Sequence, residues 1–141
     1  MLQEEKLLRA LPDYANLKSC PVAYGFRILG KRWTIEIVRD LLYWRTKFNE
    51  LLRSIPGVSP RMLSIRLTEL EVSNLIKKNV YTGTPVRVEY SLTSAGRDTI
   101  PVMYAAAEFS IKTFPEALFE RGHRRSVNEV REEIRSKAKK G

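Results

Sequence analysis

One cysteine and one histidine are all that 141 residues offer as soft or imidazole ligands, and this scarcity removes several classes of protein at once. A lone Cys20 forms no disulfide within its own chain. His123 stands among Arg121, Arg124 and Arg125 without a second histidine or a cysteine cluster, which argues against a metal site. The sequence holds no glycine-rich phosphate loop and no nucleophile with a candidate base, so neither an enzyme nor a cofactor is expected. No apolar run approaches the length of a bilayer span, and Met1 to Leu11 is interrupted by Gln3, Glu4, Glu5, Lys6 and Arg9, unlike a signal peptide. The expectation is a cytoplasmic protein in a reducing compartment with no membrane partner.

Acidic residues are the other shortage. Sixteen aspartates and glutamates face 25 lysines and arginines, a formal net charge of +9. Such an excess suggests a polyanionic partner without separating nucleic acid from a charged surface or plain solubility. Its location is more informative. Residues 45–90 hold 8 basic and 4 acidic side chains and residues 121–141 hold 8 and 3, while the remainder is balanced.

What is present is organised around Ser59 to Ile76. Ser59 can accept from orphan amides as an N-cap, and Pro60 suits the first helical position. Leu63, Leu67 and Leu70 recur at helical spacing as a buried stripe. Projected at about 100° per residue, Arg61, Ser64, Ile65 and Thr68 fall opposite those leucines, with Arg66 and Glu69 nearer the boundary. Asn74 tolerates the left-handed backbone of a C-terminal cap and marks the stop. Upstream, Thr46 is placed to cap a short helix bearing Phe48, Leu51, Leu52 and Ile55, closed by Pro56-Gly57. Downstream, Val80 and Tyr81 before the Thr82-Gly83-Thr84-Pro85 tip, and Val86, Val88, Tyr90 and Leu92 after it, alternate as a hairpin. A helix-turn-helix followed by a basic hairpin is a winged helix.

The expected fold is therefore mainly α with a small β-hairpin (α+β). It is a winged helix-turn-helix with extra N- and C-terminal helices forming a dimer interface. Residues 1–19 form an N-terminal helix and loop, 20–93 the DNA-binding unit, 94–118 a C-terminal dimerisation helix and 119–141 a basic tail. Within this division Cys20 and Pro21 open a helix over Val22 to Leu29, stopped by Gly30. Trp33 to Trp44 reads as the central core helix, with Glu36, Arg39, Asp40 and Tyr43 left outside. Thr93 caps a segment from Ser94 to Phe114 that is apolar on more faces than one core requires, and Pro101 should kink or split it. Surplus apolar surface there predicts a homodimer, helped by residues 1–11. The tail from Ser126 to Lys140 reads as a charged helix or as a frayed end.

These pieces together resemble the HxlR-type winged-helix transcriptional regulators over about Cys20 to Leu118. The residues that carry the resemblance are Cys20-Pro21, Gly30-Lys31-Arg32-Trp33, Phe48 with Glu50-Leu51, and Gly57-Val58-Ser59-Pro60-Arg61 leading to Leu63, Arg66-Leu67 and Glu69-Leu70-Glu71. Arg87-Val88-Glu89-Tyr90-Ser91-Leu92-Thr93 and Gly96-Arg97 complete the set. Asn74 replaces the glycine usual in the family, and the tail is longer and more basic than the pattern needs. The resemblance implies a dimeric regulator bound to double-stranded DNA, with the wing at the hairpin.

On that reading Arg61, Ser64, Ile65 and Thr68 meet base edges, where arginine can bond guanine and isoleucine can touch a thymine methyl. Thr46, Lys47, Arg53, Ser59, Arg66, Lys77 and Lys78 hold phosphates or flank the wing. Arg87 is the candidate for the minor groove, unless it pairs with Glu89 or Glu71. Cys20, at a helix start near Lys18, is a candidate redox or electrophile sensor or simply a small cap residue. The operator and any small-molecule or oxidant effector are not readable from the sequence. Two other readings stay open: a winged helix used to bind protein, and a non-specific architectural DNA-binding protein.

Overall fold

The computed structural model describes residues 5–6, 18–121 and 124–138. The helix expected over residues 1–11, and His123, lie outside the described residues apart from Glu5 and Lys6. In chain order the elements are α1 (Pro21–Leu29), α2 (Thr34–Leu42), α3 (Phe48–Ser54), α4 (Pro60–Val72), β1 (Ile76–Tyr81), β2 (Arg87–Leu92), α5 (Ser94–Arg97), α6 (Ile100–Thr113), α7 (Pro115–Leu118) and α8 (Val127–Ala138).

The core lies where α2, α3 and α4 meet the hairpin: Ile37, Val38 and Leu41 pack with Leu51 and Ile55, with Leu63, Leu67 and Leu70, and with Ile76 and Tyr90. The two strands pair antiparallel from Ile76 opposite Leu92 to Tyr81 opposite Arg87. They stand against the helices through a bond from the Tyr90 amide to the Thr46 carbonyl, 2.7 Å.

α2 is shorter than the expected span because both tryptophans lie outside it in left-handed backbone, Trp33 at φ 76° and Trp44 at φ 62°. Trp44 occupies the place after the C-cap where glycine is usual. The Arg45 amide donates to the Asp40 carbonyl and the Trp44 amide to that of Leu41, closing the helix in a Schellman turn. Its ring, expected in the core, is 81% exposed.

Asp40 is a second correction. Placed outside by helical projection, it is wholly buried, because the end of α3 folds over it. Its carboxylate accepts from the Ser54 hydroxyl, from Arg39 Nε at 3.0 Å and from Arg45 Nη1 at 3.3 Å. A buried carboxyl group without such donors would carry a large desolvation cost.

The helix-turn-helix pair has well-formed ends. α3 begins one residue later than expected, with Lys47 as N-cap; since lysine has no acceptor, the Glu50 carboxylate takes the amides of Thr46 and Lys47 at 3.0 and 3.1 Å. Ser59 caps α4 as expected, accepting from the Met62 amide at 3.1 Å, with Pro60 in the first turn. Asn74 ends α4 at φ 56°, and bonds from Leu75 to Leu70 and from Asn74 to Glu71 form a second Schellman turn. Between α3 and α4, Gly57 at φ 86° lets the Trp33 ring approach its α-carbon, where an added Cβ would lie 3.3 Å from the ring.

Beyond the wing, Thr93 caps only the short α5, accepting from the Gly96 amide at 3.0 Å. Gly96 permits the backbone of Leu75 to pass so close that a Cβ would sit 2.0 Å from its carbonyl oxygen. The segment expected to kink or split at Pro101 is split at Asp98-Thr99, and Pro101 lies in the first turn of α6, where its missing amide costs nothing. α6 has no buried residue, and neither does α1. The tail forms α8, whose start is a reciprocal capping box between Ser126 and Glu129. Arg131 fixes it to α6 through both oxygens of Glu108.

Candidate nucleic-acid interface

The leucine stripe turns α4 so that Arg61, Ser64, Ile65 and Thr68 all stand exposed on one side. No ion pair holds Arg61 among the described residues, and Ile65 is 37% exposed. The hydroxyl of exposed Thr68 donates to the Ser64 carbonyl at 3.0 Å. Guanidinium, hydroxyl and branched apolar carbon thus lie within three turns of one helix, the chemistry that reads donors, acceptors and methyl groups at base edges.

The opposite edge of α4 is tied down. The Arg66 Nε donates to the Arg32 carbonyl at 2.9 Å and its Nη1 reaches Glu69 at 2.8 Å; Lys31 reaches the other Glu69 oxygen at 3.0 Å. The Lys31 ammonium first, and then Arg66, hold the Glu69 carboxyl below its ordinary value. Arg66, expected among the phosphate contacts, bolts α4 to the turn that joins α1 to α2. The sequence could not show this, because its acceptor is a backbone oxygen 34 residues away.

Lys47, Arg53, Lys77, Lys78 and Arg87 are exposed and form no ion pair among the described residues, and the anticipated pairing of Arg87 with Glu89 or Glu71 is not made. Lys47, Arg53 and Arg87 line one concavity between α3 and the start of β2, with Glu50. The Thr46 amide, expected to meet a phosphate, is taken by a carboxylate of its own chain. That amide goes to Glu50, which the Lys47 and Thr46 amide bonds keep ionised below its ordinary range. Ser59 stands exposed at the start of α4.

Cys20 is the N-cap of α1, its half-buried sulfur accepting from the Ala23 amide at 3.5 Å. Sequence reasoning missed the open surface of the helix it caps. α1 leaves Val22, Tyr24 and Phe26 exposed, as α6 leaves Ile100, Val102 and Phe109. No three His, Cys, Asp or Glu side chains are grouped to hold a metal among the described residues, and no helix among them is long and apolar enough to cross a membrane.

A fold of this shape occurs in known regulators. The reduced form of the transcriptional regulator YodB from Bacillus subtilis superposes with a TM-score of 0.62 at 33% identity, over 68% of this chain and 95% of that one. The redox regulator HypR in its reduced form superposes with a TM-score of 0.62 at 31% identity, over 66% and 92%. In sequence, an uncharacterised HTH-type transcriptional regulator of Synechocystis is 38% identical over 94 residues, 67% of this chain and 70% of the relative. The model of the HxlR-like helix-turn-helix family matches residues 28–117.

The chain belongs to the HxlR-like helix-turn-helix family. It is a transcriptional regulator of helix-turn-helix type with a winged-helix fold. The HxlR-like match runs from the end of α1 to α7, so it contains α3, α4 and the hairpin and leaves out Cys20 and α8.

Proposed function

We propose that the protein is a homodimeric, sequence-specific DNA-binding regulator that lays α4 of each subunit in the major groove and the wing beside it, reading an inverted repeat. The observation that carries this is the outward side of α4: Arg61, Ser64, Ile65 and Thr68 are uncovered by any part of the described chain. Lys47, Arg53 and Ser59 on the helix pair, and Lys77, Lys78 and Arg87 at the wing, hold phosphates and set the register. The second copy packs on the apolar sides of α6 and α1, where Val22, Phe26, Ile100, Val102 and Phe109 stand exposed.

Cys20 gives the dimer a response to oxidants or electrophiles. Two thiols, one per subunit, form a bridge while an oxidant such as a diamide takes two electrons and two protons; alternatively one thiolate adds to an electrophile. Supporting this, the similar solved chains include redox regulators, and Cys20 begins a helix whose apolar side is open.

Selection of bound duplexes from random DNA, with and without diamide, tests the reading. The expected product is an inverted repeat with half-site centres about one helical turn, 34–36 Å, apart, enriched only without oxidant. A single uninterrupted site contradicts the dimer, and no enrichment at all contradicts sequence reading. Enrichment unchanged by diamide removes the role of Cys20.

A further inference from the structure

Trp44 is hard to explain by folding alone. A left-handed backbone is unfavourable for a bulky side chain, and an 81% exposed ring recovers almost nothing by burial. Its surroundings are cationic. Trp44, Arg45 and Arg53 line a concavity with Glu50 and Ser54, and that concavity adjoins the one bearing Lys47 and Arg87, because Glu50 and Arg53 belong to both. The charge of Glu50 is already directed to two backbone amides. Four cations, of which the half-exposed Arg45 also bonds Asp40 through one nitrogen, and one aromatic ring therefore run along α3, from the wing to the end of α2. With seven residues at about 1.5 Å each, α3 is about 10 Å long, the axial length of roughly three phosphates of one strand.

Resting on the proposed DNA-binding role, we infer that this track carries the sugar-phosphate backbone beyond the base-reading half-site, with the Trp44 ring stacked on a deoxyribose at its far end and Arg45 on the adjoining phosphate. The charge selects a polyanion. An exposed flat ring that shares a concavity with Arg45 and Arg53 suits a strand whose apolar sugars alternate with phosphates. The contact reads no base, so it lengthens the footprint and raises affinity for every sequence alike.

Trp44→Gly is the informative variant, because glycine adopts φ 62° without penalty and the fold should be kept or strengthened. Binding is followed by anisotropy of a labelled duplex and by tryptophan emission, with half-buried Trp33 as the internal reference. Emission of the wild type should change on binding, and that change should vanish in Trp44→Phe. Affinity of Trp44→Gly should fall roughly five- to tenfold, equally on operator and random duplexes, and the deficit should disappear when the flanks are trimmed. Arg53→Gln should instead lower the salt slope by about one. Wild-type binding with unmoved Trp44 emission and an unimpaired Trp44→Gly overturns this inference alone and gives the surface to a protein partner. No anisotropy rise on any duplex overturns the DNA-binding reading with it.

Discussion

Removing the Asp40 carboxylate should loosen the seat of the helix-turn-helix. The group is fully buried and joins the end of α2 to the end of α3 through Ser54, with Arg39 and Arg45 closing its other side. Breaking a sealed ion pair costs about 3–5 kcal/mol, but here the arginine side chains are 47% and 45% exposed and can return to water. The Ser54 hydroxyl keeps the Leu51 carbonyl as an acceptor at 3.2 Å. What Asp40→Ala loses is the charge-assisted bond from Ser54 and a small filled volume, about 2–3 kcal/mol in all. Asp40→Asn keeps shape and one acceptor and should cost about 1 kcal/mol. Urea unfolding at fixed protomer concentration measures both, the alanine variant shifting the midpoint by roughly 1–2 M. An alanine variant within about 0.5 kcal/mol of wild type would refute the assignment of Asp40 as a tie between α2 and α3.

The clamp of Lys31, Glu69 and Arg66 titrates with a definite sign: Glu69 is depressed when folded, so its contribution is present above its ordinary value near 4.5 and is lost as pH falls through the folded value. Glu69→Gln should therefore narrow the stability difference between pH 7 and pH 3, and salt should do the same because the pair is largely exposed; an unchanged pH profile removes the clamp. Phe109→Glu on α6, or Phe26→Glu on α1, should convert dimer to monomer in sedimentation and cost most of the affinity for a two-half-site operator. Retention of the dimer by both places the interface elsewhere. Cys20→Ser should bind DNA as the wild type does but ignore diamide, and a response that persists assigns the sensing to another group.

The sequence revealed most where a local rule acts within one element. Leu63, Leu67 and Leu70 gave the buried side of α4, and Ser59, Pro60 and Asn74 gave its ends, because capping and period involve only neighbours. Pro101 foretold the break before α6 for the same reason. Asp40 was misread because its partner Ser54 comes from 14 residues away, and the tie of Arg66 was not legible because the Arg32 carbonyl lies 34 residues off. Trp44 fitted the helical period of α2 but lies beyond its end, so an aromatic taken for core stands in solvent. The exposed side of α4 was legible as a surface; the openness of α1 needed the structure, since an apolar helix reads alike whether it faces its own core or another chain.

The central claim is that the outward side of α4 reads bases while the wing only holds phosphates. Measuring Arg61→Ala and Lys78→Ala on the selected operator and on random duplex, at one salt concentration, tests it most directly. Arg61→Ala should lose about 1–3 kcal/mol on the operator, little on random DNA, and tolerate base changes at one position of each half-site. Lys78→Ala should weaken both duplexes equally. Equal losses on both duplexes for both variants would contradict the account.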